Sequence, residues 1–176
     1  RICTSWLRAR RLCRKAHACS TQCSAIATRI AEAAPMRFWD ASAIVPLIAD
    51  EPRRASLFRL IEDDGDLLVW WGTPAEIVSA LARLEREKQL AADAATAAHD
   101  ALRGISAGWH EVVPSDAVRR TAERLLRTHA LRAADSLQLA AALVAADHDA
   151  RTLDFVCLDE RLAAAARREG FTVLAA

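Results

Sequence analysis

From Met36 onwards, short apolar runs alternate with longer stretches whose apolar residues recur every three or four positions. Arg37–Trp39 predicts a short strand. Ala43–Glu62 predicts a helix or helix pair, broken near Pro46 and again at Glu51-Pro52. Asp63-Asp64-Gly65-Asp66 reads as a turn before Leu67–Trp71 (LLVWW), a continuous apolar run of strand length. Pro74–Gln89 carries Ile77, Leu81 and Leu84 at helical spacing, and Ala91–Leu102 is a second, alanine-rich helix ended by Gly104. Glu111–Val113 predicts a strand, Pro114-Ser115-Asp116 a turn, and Ala117–His129 and Asp135–Ala146 helices. A strand over Phe155–Leu158, a helix over Glu160–Glu169 closed by Gly170 and a strand over Phe171–Leu174 complete the pattern. Strands that are apolar on both faces and alternate with helices imply an α/β fold. The expected form is a three-layer α/β/α sandwich around a parallel sheet of about four to five strands.

Ligands of such sheets gather beyond the carboxyl ends of the strands, where helices begin. Three acids stand there. Asp40 follows the first strand among Phe38, Trp39, Ala41 and Ala43, with Ser42 beside it. Glu76 follows the second strand in Thr73-Pro74-Ala75-Glu76, and Asp159 follows Phe155–Leu158. A fourth, Asp135, reaches the same edge if its helix starts there. Each has a plain structural reading. Asp40 or Ser42, Asp135 and Asp159 suit N-caps; Gln138 suits the closing residue of a box begun by Asp135. Thr73, Pro74 and Glu76 suit a capping box with Thr at the N-cap. Taken together, however, carboxylates crowded at one sheet edge repel unless a hard cation neutralises them. Oxygen-only ligation selects Mg²⁺ or Mn²⁺ over zinc, and such an ion suits phosphodiester hydrolysis.

Composition separates the first 35 residues from the rest. They hold seven basic residues against one acid, whereas residues 36–176 hold 17 against 22. They also hold Cys3, Cys13, Cys19 and Cys23, whose spacing does not suit a zinc site. The chain's only methionine is Met36. Residues 1–35 therefore read as an upstream extension, disordered or a misplaced start, and 36–176 as a single domain. No apolar run is long enough to span a membrane. Cys157, alone in the domain, suggests a reduced, cytoplasmic protein. The acidic balance of the domain argues against indiscriminate nucleic-acid binding.

The blocks Phe38-x-Asp40-x-Ser42-Ala43, Glu76-Ile77-Val78-Ser79-Ala80-Leu81, Leu131–Ala140 (LRAADSLQLA) and Phe155–Gly170 stand in an order and spacing that resembles PIN-domain ribonucleases. Within that family the chain looks most like the VapC-type toxins of bacterial toxin–antitoxin pairs. The resemblance covers 36–176 and none of 1–35. It implies a PIN-like fold and metal-binding, catalytic acids at Asp40, Glu76, Asp135 and Asp159, with Ser42 supporting the first. It also implies Mg²⁺ or Mn²⁺, an RNA substrate cut to a 5′-phosphate and a 3′-hydroxyl, a cognate antitoxin protein and a homodimer. Cys157 is a departure, since the family more often has Ser or Thr there. Arg37, Arg132 and Arg161 lie beside the acids in sequence and are candidates for phosphate contacts or for pairing with them. Trp39, Trp70 and Trp71 read as core, and His99, His110, His129 and His148 show no pairing pattern. The alternatives are a phosphohydrolase or phosphotransfer domain and a catalytically silent interaction protein. The first lacks a lysine near the acids, Lys88 being inside a predicted helix, and has Ser42 where a second aspartate is expected. A glycine-rich nucleotide-binding turn is absent after the first strand.

Overall fold

The computed structural model of the chain describes residues 36–49, 53–62 and 66–174. The 1–35 extension, its cysteines and the turn residues 63–65 lie outside the described residues. Five strands, β1 (Arg37–Trp39), β2 (Leu67–Trp70), β3 (His110–Val112), β4 (Phe155–Val156) and β5 (Val173–Leu174), form one all-parallel sheet in the order β3-β2-β1-β4-β5. The helices among the described residues are α1 (Ala41–Ile48), α2 (Arg54–Glu62), α3 (Thr73–Arg86), α4 (Ala92–Ser106), α5 (Asp116–Thr128), α6 (Ala133–Ala145) and α7 (Glu160–Arg168). The fold is α/β with three layers. None of these helices is long and apolar enough to cross a membrane.

Strand alternation divides the core in two. Phe38, Leu68, Trp70 and Phe155 point to one face, where they pack with residues of α5, α6 and α7. Trp39, Leu67, Val69 and Val156 point to the other, against α1, α2, α3 and α4. Phe38 and Phe155 are register partners on neighbouring strands, and their rings stack at 5.3 Å with 9° between planes. Both are fully buried, so truncating either to alanine costs about 3–5 kcal/mol. The chain moves from β1 outward through β2 to β3, then returns past β1 to β4 and β5. The order therefore reverses between β1 and β4, and the crevice beyond their carboxyl ends is the natural ligand position of such a sheet.

Local chemistry departs from the sequence expectation at several points. Helix α1 runs through Pro46 to Ile48, because Ala43, Ile44, Val45, Pro46 and Leu47 are all buried and only one helical hydrogen bond is forgone. Gly104 likewise lies inside α4, which continues to Ser106. The strands are shorter than the apolar runs suggest: β2 ends at Trp70, and Trp71 is 56% exposed, not core. Trp39 and Trp70 are buried as expected. His129 does pair, its Nε2 lying 2.8 Å from Glu169, which also takes two bonds from Arg124 at 3.1 and 2.6 Å. This group joins the C-terminal ends of α5 and α7.

Candidate active site

Asp40 emerges from β1 at the point where the strand order reverses. It is the N-cap of α1: its Oδ2 accepts the Ser42 backbone N–H at 2.9 Å and the Ser42 hydroxyl. Its own N–H donates to the Val156 carbonyl at 3.0 Å, so β4 holds it from the other side. Only 4% of Asp40 is exposed, and desolvation raises its pKa, partly offset by the hydrogen bonds from Ser42. Ser42 then spans the crevice. Its Oγ accepts backbone N–H groups of Leu158 at 3.0 Å and Asp159 at 3.2 Å.

Asp159 caps α7, accepting the Leu162 N–H at 2.9 Å, as the sequence suggests. Cys157 is fully buried between these groups, with Sγ 3.7 Å from both Asp40 Oδ2 and Ser42 Oγ and 3.5 Å from the Asp159 carbonyl. Burial pushes the thiol pKa up, and the charges of Asp40 and Asp159 push it further. The thiol therefore stays protonated and acts here as a weak donor and spacer.

Glu76 is half-buried on the first turns of α3. Its pKa is pushed up to about 7, chiefly by desolvation; a hydrogen bond with Gln138 opposes this, and the charges of Asp40 and Asp135 add to it. The capping box expected around it is not formed. The N-cap is Gly72, which puts Thr73 inside the helix. The Thr73 hydroxyl is drawn instead into the protein interior, where it exchanges hydrogen bonds with the Gln138 amide at 3.2 and 3.4 Å. Thr73 and Gln138 are both fully buried.

Asp135 is likewise not an N-cap. It is the third residue of α6, and its Oδ2 accepts the Arg132 N–H at 3.1 Å. Gln138 accordingly does not close a box with it. Arg132 and Arg161 are exposed beside the acids and form no ion pair among the described residues. Arg37 sits at the opposite, amino end of β1, where it donates to the Leu60 carbonyl at 2.8 Å and faces Asp154, which correspondingly lies away from the acids.

The charges of Asp40 and Asp135 act on Glu76, and those of Asp40 and Asp159 act on Cys157, so the four acids neighbour one another in a chain along one sheet edge. Among the described residues none of the four has a cationic partner. No three His, Cys, Asp or Glu side chains among the described residues converge, as they stand, into a ready metal centre. The reason is visible in their partners: Asp40, Asp135 and Asp159 each direct an oxygen at a backbone N–H. The donor set is nevertheless all carboxylate, partly desolvated and uncompensated, which fits a hard divalent cation better than any soft one. The residue that sequence reasoning misplaced is Gln138. An amide inside the otherwise apolar stretch Leu137–Val144 is its signal, since a buried amide needs partners.

Comparison of the chain with protein-family models gives no match, and a search of curated proteins gives none either.

Proposed function

We propose that this chain is a metal-dependent endoribonuclease, a PIN-domain toxin of the VapC type, as the motif resemblance implies. The observation that carries the reading is Asp40. It is a carboxylate buried at the switch point of a parallel sheet, near two further acids and without a cation, and its pKa is raised by burial. Burying a carboxylate with no cation beside it costs several kcal/mol, more than the roughly 1 kcal/mol that an N-cap returns.

In this reading Asp40, Glu76, Asp135 and Asp159 hold Mg²⁺ or Mn²⁺. What the ion supplies when bound is Lewis acidity toward the phosphate and a more acidic water. The protein's residues do the rest. Ser42 holds Asp40 in one orientation through hydrogen bonds to its Oδ2, with the Cys157 thiol packed 3.7 Å from the same oxygen. The Gln138 amide favours the charged form of Glu76. Glu76, whose pKa burial pushes up to about 7 in the metal-free site, must give up its proton to join the other carboxylates around the ion. Arg132 and Arg161, exposed and without an ion pair among the described residues, are the proposed phosphate contacts. The products expected are a 5′-phosphate and a 3′-hydroxyl. A small antitoxin and a second copy of the chain are the proposed protein partners.

The catalytically silent alternative has one observation in its favour: three of the acids already serve as helix-start acceptors. Incubating the full chain with RNA in Mg²⁺, in Mn²⁺ and in chelator separates the two, with end-group analysis of any fragments. Cleavage that needs the metal and leaves 5′-phosphates supports the nuclease. Intact RNA under all three conditions overturns it.

A further inference from the structure

Beyond the acids, the same sheet edge carries an aromatic step that the chemistry above does not use. Trp71 and Val113 directly follow β2 and β3, and both are more than half exposed. The Trp71 N–H donates to the Val112 carbonyl at 3.1 Å, extending the ladder by one bond and anchoring the exposed indole. Trp70, one residue earlier, is 6% exposed and turned the other way, its ring edge-on to Trp71 with centroids 6.4 Å apart. Its indole lies over Gly72, where a Cβ would meet Nε1 at 2.5 Å.

Trp70 also walls an open groove of about 440 Å³, completed by Pro114, Ser115, Arg119 and Leu137. Arg119 is bonded there only to the exposed Asp116, at 3.1 Å, an exposed pair that holds little energy. The volume suits a ligand of nucleotide size. The groove is connected to the acids through the chain itself: Gly72 caps α3, whose fourth residue is Glu76. Neighbouring strands lie about 4.8 Å apart, so the step from β1 to β3 is about 10 Å along the edge.

We infer that the exposed Trp71 indole, beside the groove walled by Trp70, forms a stacking shelf for one unpaired base of an RNA strand whose scissile phosphate lies at the acids. The inference rests on the ribonuclease reading and narrows its substrate to RNA with a base free to leave the stack. Every base has a π-face, so a tryptophan shelf accepts unpaired RNA with little regard to sequence, whereas bases of a duplex are already stacked. A nucleic acid fits better than a protein partner here. Two exposed apolar side chains and a shallow groove fall well short of the roughly 1,000 Å² that a stable protein interface needs. Trp71 and Val113 also stand directly after parallel strands, Trp71 five residues before Glu76, whereas the other large exposed apolar residues, Phe58, Val78 and Leu126, lie along helices.

The test uses the full chain, W71A and W71F with two oligonucleotides. One is an unpaired RNA; the other is the same strand with an abasic nucleotide beside the cut. On the intact strand W71A is expected to raise KM about tenfold, the usual size of one base–aromatic stack, and to move kcat far less, with W71F close to the parent. The abasic strand should cost the parent the same factor and cost W71A nothing more. An unchanged KM in W71A overturns the subsite and leaves the nuclease standing. A W71A defect that is equally large on the abasic strand also overturns it, because the residue is then only structural. A parent chain that cuts neither strand in Mg²⁺ or Mn²⁺ overturns both readings.

Discussion

Ser42 Oγ accepts the backbone N–H of Asp159 at 3.2 Å while its own proton goes to Asp40. One hydroxyl thereby ties the loop after β1 to the loop after β4, the two central strands between which the sheet order reverses. Removing it strands the Leu158 and Asp159 N–H groups and takes a donor from Asp40. Ser42→Ala is expected to lower unfolding free energy by about 1–3 kcal/mol, read by denaturant titration, and to lower cleavage as well. Ser42→Thr keeps the hydroxyl and should recover most of both. A Ser42→Ala protein as stable as the parent shows that the hydroxyl does not hold the crevice together.

The raised pKa of Glu76 makes a signed prediction about stability. In the unfolded chain its pKa is near 4.5, and in the folded protein about 7. Between those values the native state holds the extra proton, so metal-free stability falls as pH rises from about 4.5 through 7. Asp40, also raised, adds a fall of the same sign. Thermal melts in chelator from pH 4.5 to 8 should show this decline, and Glu76→Gln should flatten it. Added Mg²⁺ or Mn²⁺ should restore stability most at the alkaline end, where the carboxylates are charged. A melting temperature that rises across this range contradicts the desolvated, uncompensated site.

Asp40→Asn distinguishes charge from cap. Asparagine caps a helix about as well as aspartate, so α1 should start as before. The neutral amide removes the buried charge, and the metal-free protein should melt higher at pH 8. Metal-dependent cleavage should be abolished, because a neutral amide is a poor ligand for a hard cation. Asp135→Asn should likewise abolish cleavage. Full activity in Asp40→Asn removes it from the metal site.

How far the chain announces this structure depends on the range of the forces involved. The strands were legible because LLVWW, RFW and FVCL are apolar on both faces, as a covered parallel sheet demands. Asp40 and Asp159 were legible as caps because capping is local. The Thr73 box failed for a non-local reason: Gln138, 65 positions away, offers the hydroxyl a buried partner, and Gly72 takes over the N-cap. Trp71 was misread because an apolar run carries no mark of where its ladder stops. The grouping of acids at one edge could be expected from the parallel topology. Their orientations could not, since those depend on Ser42, Arg132 and Leu162 backbone donors that only the folded chain brings into place.

Gly72 links the stability of the fold to the groove. Its φ of −78° is open to any residue, so backbone strain does not forbid a side chain there. Space does: an added Cβ meets the buried Trp70 ring at 2.5 and 2.9 Å, so the ring must shift. Gly72→Ala should cost about 1–3 kcal/mol as an overpacked site and should move Trp70, shifting the tryptophan emission. Gly108, where an added Cβ meets only the Ile105 carbonyl at 4.0 Å, is the control; Gly108→Ala should shift neither.

The buried pair Thr73–Gln138 gives the most discriminating test, because its two members differ in what they do to Glu76. Thr73→Val keeps shape but removes the hydroxyl that the Gln138 amide uses, leaving a fully buried polar group short of a partner. The expected cost is about 1–3 kcal/mol. Gln138→Leu strands the Thr73 hydroxyl and should cost a similar amount. The double variant replaces both partners with apolar groups, so its cost should fall short of the sum, by about 0.5–3 kcal/mol in the cycle. The pH readout splits them. Gln138 hydrogen-bonds Glu76 and holds its pKa down against burial, so Gln138→Leu should carry the alkaline fall in stability to higher pH. Thr73→Val leaves that amide in place and should move the midpoint much less. Equal midpoint shifts in the two single variants mean that Thr73 positions the amide for Glu76, and that the pair acts on the site as one unit. Additive stability losses mean that the two side chains are not partners at all, and the buried bridge between α3 and α6 is then absent in solution.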